Sequence, residues 1–334
     1  MSKTSSDPTH AGLARHVLNG PTMGTRWQAT FHAAAGLDPA PLRAALQAAV
    51  DEVDAQMSTW KPDSALMRLN RAPLGEWLAI PPRLAEVLRL GLAIGRASDG
   101  AFDIGMGDAV GAWGFGPAPA DPQAIRAAMT APRQPAHEVL DLDGLLVRKR
   151  AAVLLDFNGI AKGYGVDRLI ETLREHGVDA ALTGIDGEMR ATGLRPDGSP
   201  WTVAVEAPDP ERRTAHSIIE LQDAAVATSG DYRHRVVVQG RTLSHSMDPR
   251  SGAPLAAPPA SATVIARTCA EADAWATALI VAGHEEGMKL AHAQDLGALL
   301  LLRSDTDRIY AHGSGPVFGS VSTHEPTMRP SVGS

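Results

Sequence analysis

The chain has 334 residues, 44% hydrophobic and 21% charged, a globular composition long enough for one large domain or two medium ones. A net charge of −7 gives no electrostatic support to nucleic-acid binding, and a single cysteine, Cys269, excludes an intramolecular disulfide. No segment is long and apolar enough to span a membrane, and the polar first 20 residues hold no apolar signal core, so a cytoplasmic location is expected.

In chain order, residues 1–19 read as a flexible lead-in, 20–312 as a single domain of one or two lobes, and 313–334 as a loose tail. Residues 26–31 alternate as a strand does. A helix is predicted after Pro41, where Leu46, Ala49, Val50, Val53 and Met57 share one face, with Pro62 as its stop. Residues 63–70 read as a turn and short helix. A second long helix is predicted over 82–97, with Leu84, Val87, Leu88, Gly91 and Ile94 inward and Ser98-Asp99-Gly100 as its end. A Pro- and Ala-rich stretch at 117–138 suits a helix between loops, and 139–156 suits two short strands.

The stretch 154–176, LLDFNGIAKGYGVDRLIETLREH, combines three signals. An apolar run reads as a strand end, a glycine-containing turn follows, and Val166, Leu169, Ile170 and Leu173 then mark one helix face. A helix N-terminus reached through small residues suits an anion, because its free N–H groups and macrodipole favour negative charge. Gly159 and Gly163 would admit a phosphate to the backbone, and Lys162 adds a positive charge. It is neither a Walker A loop nor a G-x-G-x-x-G fingerprint, and an ordinary strand-to-helix corner would carry the same pattern.

Beyond this corner the chain turns to short strands, predicted near 180–183, 188–192, 202–206, 217–221, 225–228 and 235–238. A polar loop at 244–254, a strand at 262–266, helices at 270–282 and 285–293, and strands at 297–303 and 308–311 complete the reading. The fold class is α+β or mixed α/β, mostly antiparallel sheets flanked by helices, without a doubly wound nucleotide fold.

Three clusters have the side chains for chemistry. Asp273 and Thr277 are four apart on a helix and offer the hard oxygen donors that Mg²⁺ prefers; a first-turn carboxylate and a packed threonine would share that spacing. His245 precedes an Asp-Pro-x-x-Gly turn and has the residue type of a general base, or of a surface loop histidine. Residues 228–232, TSGDY, fit a hairpin turn or a hydroxyl-rich ligand loop. Cys269 lies in an apolar neighbourhood that suits a packed residue rather than a nucleophile.

Taken together, these stretches resemble the FAD:protein FMN transferase family, the ApbE-type flavin transferases. The matches are MGT at 23–25, MSTW and PDSALMRLN across 57–70, SDGAFD at 98–103, and WGFG at 113–116. They continue with DFNGIAKGYGVD at 156–167, TSGDY at 228–232, SHSMDPRSG at 244–252 and ADAWATAL at 272–279. The resemblance implies Mg²⁺-dependent transfer of FMN from FAD to a threonine hydroxyl of an acceptor protein, with release of AMP. It implies Asp273, Thr277 and the Ala161 carbonyl as metal ligands, and Met23 and Trp60 by the flavin. It places Ala101, Phe102 and Asp103 at the adenine end, Asn158 and Lys162 near the pyrophosphate, His245 at the reacting phosphate and Met247 against FAD. Two departures stand out: Ser246-Met247 after the histidine, and Ile185-Asp186-Gly187-Glu188 where the family has Gly-Gly, whose acids are expected in a solvated turn. A Mg²⁺-dependent FAD pyrophosphatase and a non-catalytic FAD carrier are the alternatives.

Overall fold

Eight strands form one sheet whose spatial order follows their order in the chain. They are β1 (Leu13–Thr22), β2 (Thr25–Ala34), β3 (Ala181–Ile185), β4 (Glu188–Thr192), β5 (Ala225–Gly230), β6 (Ser261–Ala266), β7 (Gly297–Arg303) and β8 (Ile309–Ser314). Every neighbouring pair is antiparallel. The computed structural model describes residues 12–321 except 210–211, 213, 231–234, 239–240, 305 and 307. Among the described residues no helix is long and apolar enough to cross a membrane.

Helices cover one face of the sheet: α1 (Ala40–Met57), α2 (Pro82–Ala97), α3 (Ala161–Glu175) and α4 (Cys269–Ala293). The alternation of β2 turns Trp27 and Phe31 inward, onto Leu46 and Val50 of α1 and Val166, Leu169 and Ile170 of α3. The apolar face of α2 brings Leu84 and Leu88 into a second cluster with Ala274, Ala278 and Leu279 of α4. On the opposite face a hairpin, Trp201–Glu206 with Ala215–Leu221, packs Trp201, Val203 and Ile219 on Val226, Leu299 and Leu301. The predicted class, antiparallel sheet flanked by helices, is the observed one, and α2 has the predicted bounds.

The differences have local causes. Strand β1 begins at Leu13, inside the expected lead-in; it is an edge strand whose apolar residues fall in adjacent pairs, Leu13-Ala14 and Val17-Leu18, so it lacks the alternation that marks a strand. The apolar run at 154–157 is not a strand. Leu154 forms a single parallel bridge with Met106. The Asn70 side chain clamps the Leu155 backbone, donating to its carbonyl at 2.9 Å and accepting its N–H at 2.8 Å. The expected loop at 244–254 contains a two-residue ladder, Met247–Asp248 with Ala253–Pro254. The two helices expected at 270–293 are the halves of α4, interrupted by Gly283 at φ 80°.

Candidate active site

The site begins where the first turns of α3 and α4 touch. A Cβ at Gly163 would fall 2.3 Å from the Cys269 carbonyl oxygen and 2.8 Å from Asp273 Cβ, so only glycine permits this approach. Gly163 donates its N–H to Asp273 Oδ2 at 3.0 Å. Asp167, one turn along α3, accepts from the Cys269 N–H at 2.8 Å and the Ala270 N–H at 2.9 Å, capping a neighbouring helix. Arg190 of β4 pairs with the same carboxylate at 2.6 Å. Thr268 and Glu271 add a capping box. Helix α4 is therefore fixed at its N-terminus, which orients Asp273 and Thr277 within its first turns. Thr277 Oγ1 is 3.1 Å from Ser229 Oγ of β5, and a Cβ at Gly159 would lie 3.0 Å from it.

These contacts form the floor of a cleft of about 360 Å³. Nine of the residues singled out in the sequence line it: Ala101, Phe102, Asp103, Asn158, Lys162, His245, Met247, Asp273 and Thr277. Three do not. Met23 is partly buried at φ 44° and packs beside Gly165 of α3. Trp60 is 62% exposed. Ala161 opens α3 immediately before Lys162. Thr228 and Ser229 of the TSGDY stretch line the cleft; Asp231 and Tyr232 lie outside the described residues.

The walls are held by their own hydrogen bonds. Asp103 Oδ1 accepts from the Gly105 N–H at 2.8 Å and the Ala136 N–H at 3.0 Å, fixing the loop that presents Phe102. Burial raises the Asp103 pKa in spite of those donors. His245 sits between Ser244 and Ser246, both buried, and the Ser246 N–H donates to Ser244 Oγ at 3.2 Å. Met247 packs with Met106, Ala109, Ala112 and Ala128. Trp113 Nε1 ties the following turn down by donating to the Gly252 carbonyl at 3.0 Å.

Charge in the cleft is unbalanced. Six lining residues are carboxylates, Asp103, Asp156, Asp186, Glu188, Glu206 and Asp273, and Lys162 is the sole lysine or arginine among the described lining residues. Lys162 Nζ lies 2.7 Å from Glu188 Oε1 and 3.3 Å from Asp186 Oδ2. Burial pulls the Lys162 pKa down, but Glu188, Asp273 and Asp186 outweigh it and hold the group above the ordinary lysine value. Burial and the charge of Glu188 push Asp273 up to about 7, against Lys162 and the Gly163 N–H. Burial pushes Asp156 up to about 6.

Glu188 corrects the sequence reading. It is not in a solvated turn: it lies in β4, is 4% exposed and is paired with Lys162. Asp186 does occupy the turn, in left-handed backbone at φ 61°. Asp167, Arg190 and Asn70 were not singled out in the sequence. The available signal was a carboxylate at Asp167 beside Val166 and near Leu169 and Ile170, on the buried side of an amphipathic helix.

The ApbE family model matches residues 23–300. The chain belongs to the ApbE family. It is 35% identical over 297 residues to "FAD:protein FMN transferase" of Vibrio cholerae, covering 86% of this chain and 87% of that protein. It is 32% identical to the protein of the same name from Klebsiella pneumoniae, covering 90% and 88%. Among solved structures, the apo flavinyl transferase ApbE of Pseudomonas stutzeri superposes with a TM-score of 0.81 at 34% identity, covering 92% of this chain and 98% of that one. Flavin transferase ApbE from Vibrio cholerae gives 0.79 at 33%, covering 90% and 97%. The family match spans the corner, the cleft and all of α4, so the residues brought together above lie within the ApbE-like region.

Proposed function

We propose that this chain transfers FMN from FAD to a threonine hydroxyl of an acceptor protein and releases AMP, with Mg²⁺ bound at Asp273 and Thr277. The observation that carries this reading is the charge of the cleft: among the described residues six carboxylates line it, and the one lysine among them is already paired with two of these. A pyrophosphate brought there meets net repulsion unless a cation offsets it.

The donor set fits Mg²⁺. Asp273 and Thr277 supply two hard oxygens one helical turn apart, with the Ala161 carbonyl as the proposed third. Among the described residues no three His, Cys, Asp or Glu side chains are placed to hold a metal ion together, so the protein offers no all-protein cage; Mg²⁺ sites are commonly completed by waters and substrate phosphates. When bound, the ion would neutralise charge on the transferring and leaving phosphates.

The protein's own residues divide the remaining work. Gly159 leaves room for close approach at the corner, and the N-terminus of α3 faces negative charge with its dipole. Lys162 is positioned to exchange a carboxylate partner for a phosphate oxygen. Phe102 and Met247 give apolar surface to the flat rings of FAD. His245 takes the proton of the attacking hydroxyl as the new O–P bond forms at the FMN phosphate; the bond between the two phosphates breaks and AMP departs with the electron pair.

The test is the intact mass of an acceptor domain with a modifiable threonine, incubated with the protein, FAD and Mg²⁺. A gain of one FMN, abolished by EDTA and by Asp273→Ala, is the expected result. Steady conversion of FAD to FMN and AMP with no gain on the acceptor would replace the transferase by a pyrophosphatase. Bound FAD with no turnover would leave a carrier.

A further inference from the structure

A second cavity, about 470 Å³, opens on the face of the sheet opposite the helices. It lies between the outer face of β1–β3 and the strand Trp201–Glu206. Its chemistry is the reverse of the first. Arg15 of β1, Arg195 of the loop before Trp201, and His32 of β2 line it. His32 Nδ1 is shut off from solvent and has no hydrogen-bond partner, although the ring leans on Trp201 at 5.9 Å between centroids. Burial first, and then the charge of Arg15, hold the His32 pKa below its ordinary value. Asp197 provides the local counter-charge, but it is exposed and 3.8 Å from Arg195 Nε, a loose pairing that another carboxylate can displace.

One strand joins this groove to the cleft. Along Trp201–Glu206 the side chains alternate, with Trp201, Val203 and Val205 buried against the sheet. Thr202, on the other face, lines the groove, while Ala204 and Glu206 on that same face line the cleft. Thr202 and Glu206 are therefore about 13 Å apart on one continuous surface, at ~3.3 Å per residue. Among the described residues this strand is paired along one edge only, with Ala215–Leu221. Its other edge carries no ladder among the described residues, the kind of edge with which an extended chain can pair.

We infer that this groove docks an acidic segment of the acceptor protein, beside the hydroxyl that enters the cleft. The inference rests on the transferase reading, which requires a macromolecule to reach a phosphate held in the cleft. A chain laid along that edge of Trp201–Glu206 places one residue at the cleft and another, a few positions away, among Arg15, Arg195 and His32. A carboxylate there gains two guanidinium partners, Arg15 and Arg195. Charge sorts the two substrates: the cleft admits a polyanion only with a cation, and the groove takes a carboxylate directly.

The experiment uses the full chain with FAD, Mg²⁺ and an acceptor domain bearing acidic residues beside its modifiable threonine. Arg15→Glu is the first variant, since Arg15 is exposed; Arg195→Gln is the second. The expected result is a KM for the acceptor raised about tenfold by Arg15→Glu, with FAD affinity and kcat at saturating acceptor unchanged. Changing the acceptor's flanking acids to lysine should restore the Arg15→Glu variant and impair the wild type. An unchanged acceptor KM in both variants, with normal wild-type transfer, overturns the groove and leaves the transferase reading standing. Absence of transfer by the wild type removes that reading, and the groove's role with it.

Discussion

Asp167 of α3 accepts the backbone N–H of Cys269 of α4 at 2.8 Å, so one helix closes the N-terminus of the other. The same carboxylate takes the Ala270 N–H and the Arg190 guanidinium, and only 5% of the residue is exposed. Because α4 carries Asp273 and Thr277, this cap sets where the proposed metal ligands stand relative to Gly159 and Lys162.

Asp167→Ala should therefore act on both stability and metal use. It leaves the Arg190 charge without its partner and two helix N–H groups unsatisfied, a loss of about 3–5 kcal/mol for breaking a buried pair. Asp167→Asn retains an acceptor and should lose less. Urea unfolding measures the first effect; the Mg²⁺ concentration giving half-maximal FMN transfer measures the second and should rise in the Asn variant. A Mg²⁺ requirement that stays constant while stability falls would reduce Asp167 to a fold residue.

Gly163→Ala should be nearly as damaging, for a steric reason. Its Cβ would meet the Cys269 carbonyl at 2.3 Å, and backbone on both sides has to move. Overpacking of this kind costs about 1–3 kcal/mol, and here it also displaces the Gly163 N–H from Asp273. Gly111→Ala is the control: nothing lies within 4 Å of its Cβ, and it sits in the helix Gly107–Ala112, where alanine is preferred. Thermal unfolding and FAD titration of the two variants should diverge; similar behaviour would mean that α3 and α4 are not in close contact.

What the sequence revealed and what it hid divide along chain separation. Helix α2 was legible because Leu84, Val87, Leu88 and Ile94 repeat at helical spacing between Pro82 and Gly100. Asp273 and Thr277 were legible as a pair because four residues make one turn. Their surroundings were not. Ser229 comes from β5, Gly159 from the corner, and the Asn70 clamp on Leu155 joins residues 85 apart. Glu188 follows Asp186-Gly187 and reads as solvated because a turn is a local signal, whereas its burial comes from pairing with Lys162 on a helix distant in sequence. Trp60, which the resemblance put by the flavin, is surface-exposed and away from the cleft lining.

Asp186→Gly should improve both stability and FAD affinity. Left-handed backbone at φ 61° costs a non-glycine residue roughly 1 kcal/mol, less for Asp than for most. The partly exposed contact with Lys162 at 3.3 Å returns little of it. Removing this carboxylate also lowers the repulsion met by a pyrophosphate. FAD titrations at low and high Mg²⁺ should show the larger gain at low Mg²⁺. Weaker binding at both would show that Asp186 assists FAD instead of opposing it.

Asp156 gives the protein a pH-dependent stability of known sign. Its folded pKa, about 6, exceeds the ordinary value of 3.8 because burial disfavours the charged form more than the Asn158 N–H supports it. The stabilisation from the bound proton is fully present below about pH 4 and is lost as pH rises through about 6. The difference is worth at most ~3 kcal/mol, and partial exposure to solvent lowers that. Asp156→Asn should be more stable than the wild type at pH 7, with the advantage shrinking towards pH 4. Parallel denaturation curves across this range, with no change in the gap, would contradict the assignment.

His245 is the remaining element of the proposed chemistry. It lines the cleft that Asp273 and Thr277 also line, on a segment braced by Ser244, Ser246 and the Trp113 bond to Gly252. A threonine hydroxyl holds its proton tightly at neutral pH, so attack on phosphorus needs an acceptor for that proton as the bond forms. A positioned base contributes about 10²–10⁴-fold. His245→Ala should therefore lose transfer by about that factor while binding FAD with near-normal affinity, because the proposed metal ligands, Lys162 and the apolar side chains Phe102 and Met247 remain. Single-turnover transfer at saturating FAD isolates the chemical step. His245→Gln should not recover it, since an amide fills the space without taking the proton. A transfer rate in His245→Ala equal to the wild type would remove the histidine from the proton path and direct attention to the carboxylates of the cleft.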